Sequence, residues 1–96
     1  MIDAIVVYDV RTDTREGERR LRAVAKLCEG TGTRVQYSVF ELHCEAAQLI
    51  KLQRQLETTI AAEDSIRIYR VPAGVLDRVT QLGAERQGHP PGAQIW

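Results

Sequence analysis

Cysteine is scarce in this chain. Cys28 and Cys44 are the only two, with no partners at metal-ligand spacing, so neither a thiolate zinc site nor a disulfide scaffold is expected. Long apolar runs are missing as well, and nothing approaches the roughly 20 residues that a membrane span needs. No basic region precedes the first short apolar run, which follows Asp3; that differs from a secretory leader. The expected location is the cytoplasm, with no membrane partner. Net charge is also absent: 13 Lys and Arg balance 13 Asp and Glu, so no whole-chain attraction to polyanions follows. There are no internal repeats and no low-complexity tracts. At 96 residues the chain is one domain, and it hides only about two-thirds of the surface its unfolded form exposes. Association with another chain would hide more.

The charges are unevenly placed. Arg11, Arg15, Arg19, Arg20, Arg22, Lys26 and Arg34 fall in one stretch, against Asp13, Glu16, Glu18 and Glu29. The stretch from Glu41 to Asp64 is acidic in balance. A neutral protein can carry a basic face this way, although a solvated helix with offsetting charges explains the same pattern. Arginine outnumbers lysine by 11 to 2, which suits phosphate through the planar guanidinium fork.

Ala4-Ile5-Val6-Val7-Tyr8 is a continuous apolar, β-branched run and predicts a central strand covered on both faces, ended by Asp9-Val10. Asp13 and Glu16 fit a capping box at a helix start. The helix extends to about Glu29, with Leu21, Val24, Ala25 and Cys28 on one stripe. Gly30 and Gly32 are expected to stop it by taking the left-handed conformation. Residues 34–42 are β-rich, but Phe40 breaks the alternation of Val35, Tyr37 and Val39, so a bulge or a tight switch between two strands is expected there. A second helix is predicted over about 45–61, with Leu49, Leu52, Leu56 and Ile60 inward. A strand follows at 65–71, then a turn at Pro72 and Gly74, and a short strand at 79–82.

Residues 88–92 read as a linker before a short apolar tail, Ala93-Gln94-Ile95-Trp96. An exposed Ile-Trp end is unfavourable in water, so the tail is expected to dock as an extra strand. Two helices cover one face of the predicted sheet, and Tyr37, Tyr69 and Phe40 add exposed aromatic area. The other face needs a cover, and a second copy of the chain is the simplest, giving a symmetric dimer.

Tyr8-Asp9-Val10, the arginine-rich helix through residues 19–27, Gly32-Thr33-Arg34-Val35-Gln36-Tyr37-Ser38-Val39-Phe40-Glu41 and the strand 64–71 occur in an order that resembles the CRISPR-associated Cas-two proteins. The likeness covers residues 1 to about 83. It implies an α+β, ferredoxin-like βαββαβ core over 1–83. It further implies a linker and C-terminal strand over 84–96 that completes a partner's sheet, and a homodimer built by sheet-to-sheet stacking. It also implies a magnesium-dependent endoribonuclease or double-strand endonuclease that bridges the CRISPR integrase during spacer acquisition and binds RNA or double-stranded DNA. A non-catalytic adaptor in the integrase complex and a related endoribonuclease toxin are the alternatives.

Under this resemblance Asp9 is the catalytic and metal-binding residue. Two symmetry-related carboxylates close together need a proton or a cation between them, and Mg²⁺ accepts one or two carboxylates while keeping its waters. From the residues alone, the favoured reading is that Asp9 simply ends a strand and caps a turn. Arg20, Arg22 and Arg34 are expected to contact phosphate; Arg20 and Arg22 could instead pair with Glu16, Glu18 or Glu29. Phe40 stacks on a base or fills the dimer interface. Tyr8 and Ser38 read as packing and backbone-bonding residues, and His43 and His89 as surface histidines.

Overall fold

The computed structural model describes residues 1–85; the expected linker, His89 and the tail strand at 93–96 lie outside the described residues. The elements run β1 (Ile2–Asp9), α1 (Arg15–Glu29), β2 (Gly32–Gln36), β3 (Val39–Cys44), α2 (Ala46–Thr59) and β4 (Ser65–Val71), then a 3-10 turn at Val75–Arg78. The four strands form one antiparallel sheet in the order β2-β3-β1-β4. This is the ferredoxin-like α+β arrangement.

The apolar run at the start of the chain becomes β1, paired with β3 on one side and β4 on the other. Strand alternation sends Ala4, Val6 and Tyr8 into the core with Phe40, Leu42 and Cys44 of β3. Val24 and Cys28 of α1 and Leu49, Leu52 and Leu56 of α2 close the core from above. Both helix stripes thus pack on one sheet face, as the i, i+3, i+4, i+7 spacing requires.

Several local expectations change. The α1 cap is Thr14, whose hydroxyl accepts from the Gly17 N–H at 3.0 Å, not an Asp13–Glu16 box. A capping box sits instead on α2, where Glu45 and Gln48 bond each other's backbone. Gly30 ends α1 in the right-handed conformation, with φ of −69°, and Gly32 lies in β2. What Gly32 supplies is close approach: a Cβ there would come within 2.5 Å of the Glu41 carbonyl oxygen.

The break at Phe40 has two causes. Tyr37 and Ser38 turn the chain between β2 and β3, and the register shifts between Arg34 and Gln36. The alternation restarts in β3, so Phe40 points inward with no exposed surface; it adds nothing to the exposed aromatic area, which falls to Tyr37 and Tyr69. The expected strand at 79–82 does not form. After the 3-10 turn the chain runs irregularly, and Leu76, Val79, Thr80 and Gln81 line a cavity of 410 Å³ with Ile5, Val39 and Glu41 of the sheet's second face. The chain therefore covers part of that face itself. Asp3, 3% exposed, ties this crossing down by accepting from the Gly74 N–H at 2.9 Å and the His43 Nδ1–H at 2.5 Å. The bonds from His43 and Gly74 hold its carboxyl below the usual range, against a smaller upward push from burial.

Candidate functional site

Asp9 ends β1 opposite Ser65 of β4, on the sheet face away from the helices. It is exposed and makes no hydrogen bond or ion pair among the described residues. A carboxylate at a strand end with both oxygens open can take a hard ligand. The donor chemistry fits Mg²⁺, which accepts one or two carboxylates and retains water. It does not fit a closed zinc-type site needing four ligands. Among the described residues, no group of three or more His, Cys, Asp or Glu side chains is placed to hold a metal, so Asp9 is not part of a ready-made multi-ligand site there.

The loop that carries the chain away from Asp9 is held rigidly. Its anchor is Asp64, a residue that the sequence left without a role. The Asp64 side chain is wholly buried. It accepts from Arg11 N–H at 3.1 Å, Ala61 N–H at 2.9 Å and Arg20 Nε at 2.7 Å. Burial pushes the Asp64 carboxyl up, but the bonds from Arg20, Ala61 and Arg11 outweigh that and hold it below the usual carboxylate range. One acid thus ties together the loop after β1, helix α1 and the entry to β4. Gly17 tightens the same corner, since a Cβ on it would lie 2.0 Å from the Arg11 carbonyl oxygen.

The expected phosphate ligands divide into three cases. Arg20 gives its Nε to Asp64 and a second nitrogen to Glu63 at 3.4 Å; its acids come from 43 and 44 residues away, not from its own helix. Arg22 is exposed and has no partner among the described residues. With Arg15 and Arg19 it occupies a row at i, i+4 and i+7 on the outer side of α1, roughly opposite the core stripe. Arg34 lies over the Phe40 ring, 5.2 Å from its centre, because the register pairs Arg34 with Phe40. Its Nε is buried without an acceptor among the described residues, so it has a donor available for an anion or a water.

Phe40 offers no ring face to a base. Arg34 takes one contact, Tyr8 stacks at 6.1 Å between ring centres, and the residue is 0% exposed. It is a core residue on the helix side, and so fills no interface on the opposite face either. Burial drives the Tyr8 phenol up to about 12, against a lowering pull from Arg34, so Tyr8 is a neutral packing group at ordinary pH. The Ser38 carbonyl accepts from Tyr8 N–H at 3.1 Å. His43 pairs with Asp3 at the far end of β1. That is about 20 Å from Asp9 at the rise of a strand, too far for a general base there.

The fold and its bare strand-end carboxylate define the class: a small ferredoxin-like protein that sets an exposed acidic side chain at a sheet end beside an arginine-rich helix. The chain belongs to the family CRISPR associated protein Cas2, whose family model matches residues 1–79. The CRISPR-associated endoribonuclease Cas2 of Chlorobaculum tepidum is 43% identical over 92 residues, 95% of this chain and 96% of that protein. The CRISPR-associated endonuclease Cas2 of Halalkalibacterium halodurans is 43% identical over 82 residues, 84% of this chain and 85% of that protein. The crystal structure of Streptococcus pyogenes Cas2 at pH 6.5 superposes with a TM-score of 0.75 at 43% identity, covering 84% of this chain and 99% of that one. No helix among the described residues is long and apolar enough to cross a membrane.

Proposed function

We propose that this chain is a Mg²⁺-dependent endonuclease of a cytoplasmic CRISPR system, cleaving RNA or double-stranded DNA as a homodimer that brings two Asp9 carboxylates together. The observation that carries the reading is the state of Asp9: an exposed strand-end carboxylate with no partner, fixed beside a corner locked by Asp64. The names of the relatives, endoribonuclease and endonuclease, support the reaction class. Asp9 and its symmetry mate would hold the ion. When bound, Mg²⁺ would supply charge stabilisation at a phosphate and a more acidic water. The chain's own part is placement. Arg22 with its helical neighbours, and Arg34 through its charge, attract the phosphate backbone, while the Asp64 corner holds the loop that follows Asp9.

The test is cleavage of RNA and of duplex DNA in Mg²⁺ and in EDTA, comparing the parent with Asp9→Asn. Loss of cleavage in both EDTA and the variant is the expected result. Cleavage undiminished in Asp9→Asn overturns the reading.

A second reading is favoured by a different observation. Among the described residues Asp9 belongs to no group of three or more metal-ligating side chains, and His43, the one described histidine, sits at the far end of β1. A non-catalytic adaptor that binds DNA and bridges the CRISPR integrase needs neither a multi-ligand site nor a nearby histidine. Under that reading Asp9→Asn leaves DNA capture intact, whereas charge reversal at Arg22 weakens it.

A further inference from the structure

The two helices meet on the outside of the molecule along a groove of 640 Å³, away from both Asp9 and the open sheet face. From α1 and its end, Ala23, Lys26, Leu27 and Gly30 line it; these positions are i, i+3, i+4 and i+7, one continuous row. From α2, Lys51, Leu52, Gln55 and Thr59 line the facing side. Half-buried Leu27 supplies the open apolar floor, backed by Leu52, which is 1% exposed, while Lys26 and Lys51 are exposed on the rims. The α2 row, which begins at Gln48, spans about 16 Å at the helical rise.

The charge of this groove departs from the rest of the chain. The sequence has 11 arginines and only two lysines, and both lysines line this one groove, where no arginine and no carboxylate is present. Neither ammonium group has a hydrogen-bond or ion-pair partner among the described residues. The groove is therefore positive on both sides with a leucine floor between. A phosphate backbone would leave that floor uncovered, and it is better met by guanidinium forks. An amphipathic peptide with leucine-type anchors on one side and carboxylates flanking them satisfies floor and rims together.

We propose that the α1–α2 groove docks an acidic amphipathic helix of about three turns from a partner protein, with Lys26 and Lys51 pairing its carboxylates and Leu27 with Ala23 receiving its apolar side chains. This goes beyond the nuclease reading and does not depend on it, since the groove shares no residue with the Asp9 site. It gives the molecule two separate faces, one for nucleic acid and one for protein.

The experiment is fluorescence anisotropy of the full chain with a fluorescein-labelled peptide of about 12 residues, carrying Leu at i, i+4 and i+7 and Glu on both flanks. Saturable binding that weakens with salt is expected. The double variant Lys26→Glu with Lys51→Glu, checked for folding by circular dichroism, should weaken it about tenfold, and a Lys-for-Glu version of the peptide should not bind. Three results overturn the proposal: no saturable binding of the Glu peptide, equal affinity in parent and variant, or loss in the variant of duplex DNA binding alone.

Discussion

Asp64→Asn is the substitution that most directly probes how the site corner is held. The side chain is fully buried and receives three bonds, from Arg20 Nε, Ala61 N–H and Arg11 N–H. Asparagine keeps one acceptor oxygen but presents an amide NH₂ where the other oxygen stood. At least one donor is then left facing a donor, and the guanidinium loses its counter-charge. A bond to a charged group contributes about 1.5–3 kcal/mol, and a stranded buried donor costs about 1–3 kcal/mol. The Arg20 side chain is 19% exposed, so water relieves part of this, and a net loss of about 2–3 kcal/mol is expected. Each kcal/mol moves the melting temperature of a domain this size by about 4–8 °C, so thermal unfolding followed by circular dichroism should show a fall of about 10–20 °C.

The pH dependence has a definite sign. The Asp64 carboxyl titrates below its ordinary value in the folded chain. Its contribution is complete above the unfolded value of about 3.9 and is lost as pH falls through the lower folded value. The gap between parent and variant should therefore be full near neutrality and close below about pH 4. A fall of less than about 4 °C at pH 7, or a gap that widens in acid, would refute the assignment of Asp64 as the anchor. A double-mutant cycle with Arg20→Gln isolates the pair: coupled losses mark an anchor, and a separate fall in nucleic-acid affinity would mark Arg20 as a phosphate ligand as well.

Three further outcomes are expected. Gly17→Ala should force the 11–14 loop outward, because its Cβ would meet the Arg11 carbonyl oxygen at 2.0 Å; stability should drop by about 1–3 kcal/mol, and cleavage should fall more than nucleic-acid binding. Burial pushes the Cys28 thiol up to about 12 and raises Cys44 as well, so native protein at pH 8 should resist thiol reagents and react at both positions once denatured. Fast native labelling would show that the core opens. Arg22→Gln and Arg34→Gln should each reduce the slope of log affinity against log salt by about 1 in duplex-binding titrations, and an unchanged slope removes that residue from the phosphate contact.

The elements whose signal is local were legible in the order of residues. The apolar run at 4–8, the stripes Val24–Cys28 and Leu49–Leu52–Leu56, and the strand at 65–71 all appear where their periodicity places them, because a helix or strand face repeats every few residues. Asp9 was legible as a strand-end acid for the same reason. Phe40 was misplaced because a two-residue turn and a register shift reset the alternation. Val79–Leu82 has strand composition but pairs with neither sheet edge, and it crosses the open face instead.

Only the tertiary structure decided what touches what across long separations. Arg20 and Asp64 are 44 residues apart, and nothing in the spacing of either foretells that they meet. Arg34 lies on Phe40 through strand register, and both lysines reach one groove because two helices share a sheet face. Such pairs follow from topology, which brings distant segments together, and a sequence pattern records only the period of each segment by itself.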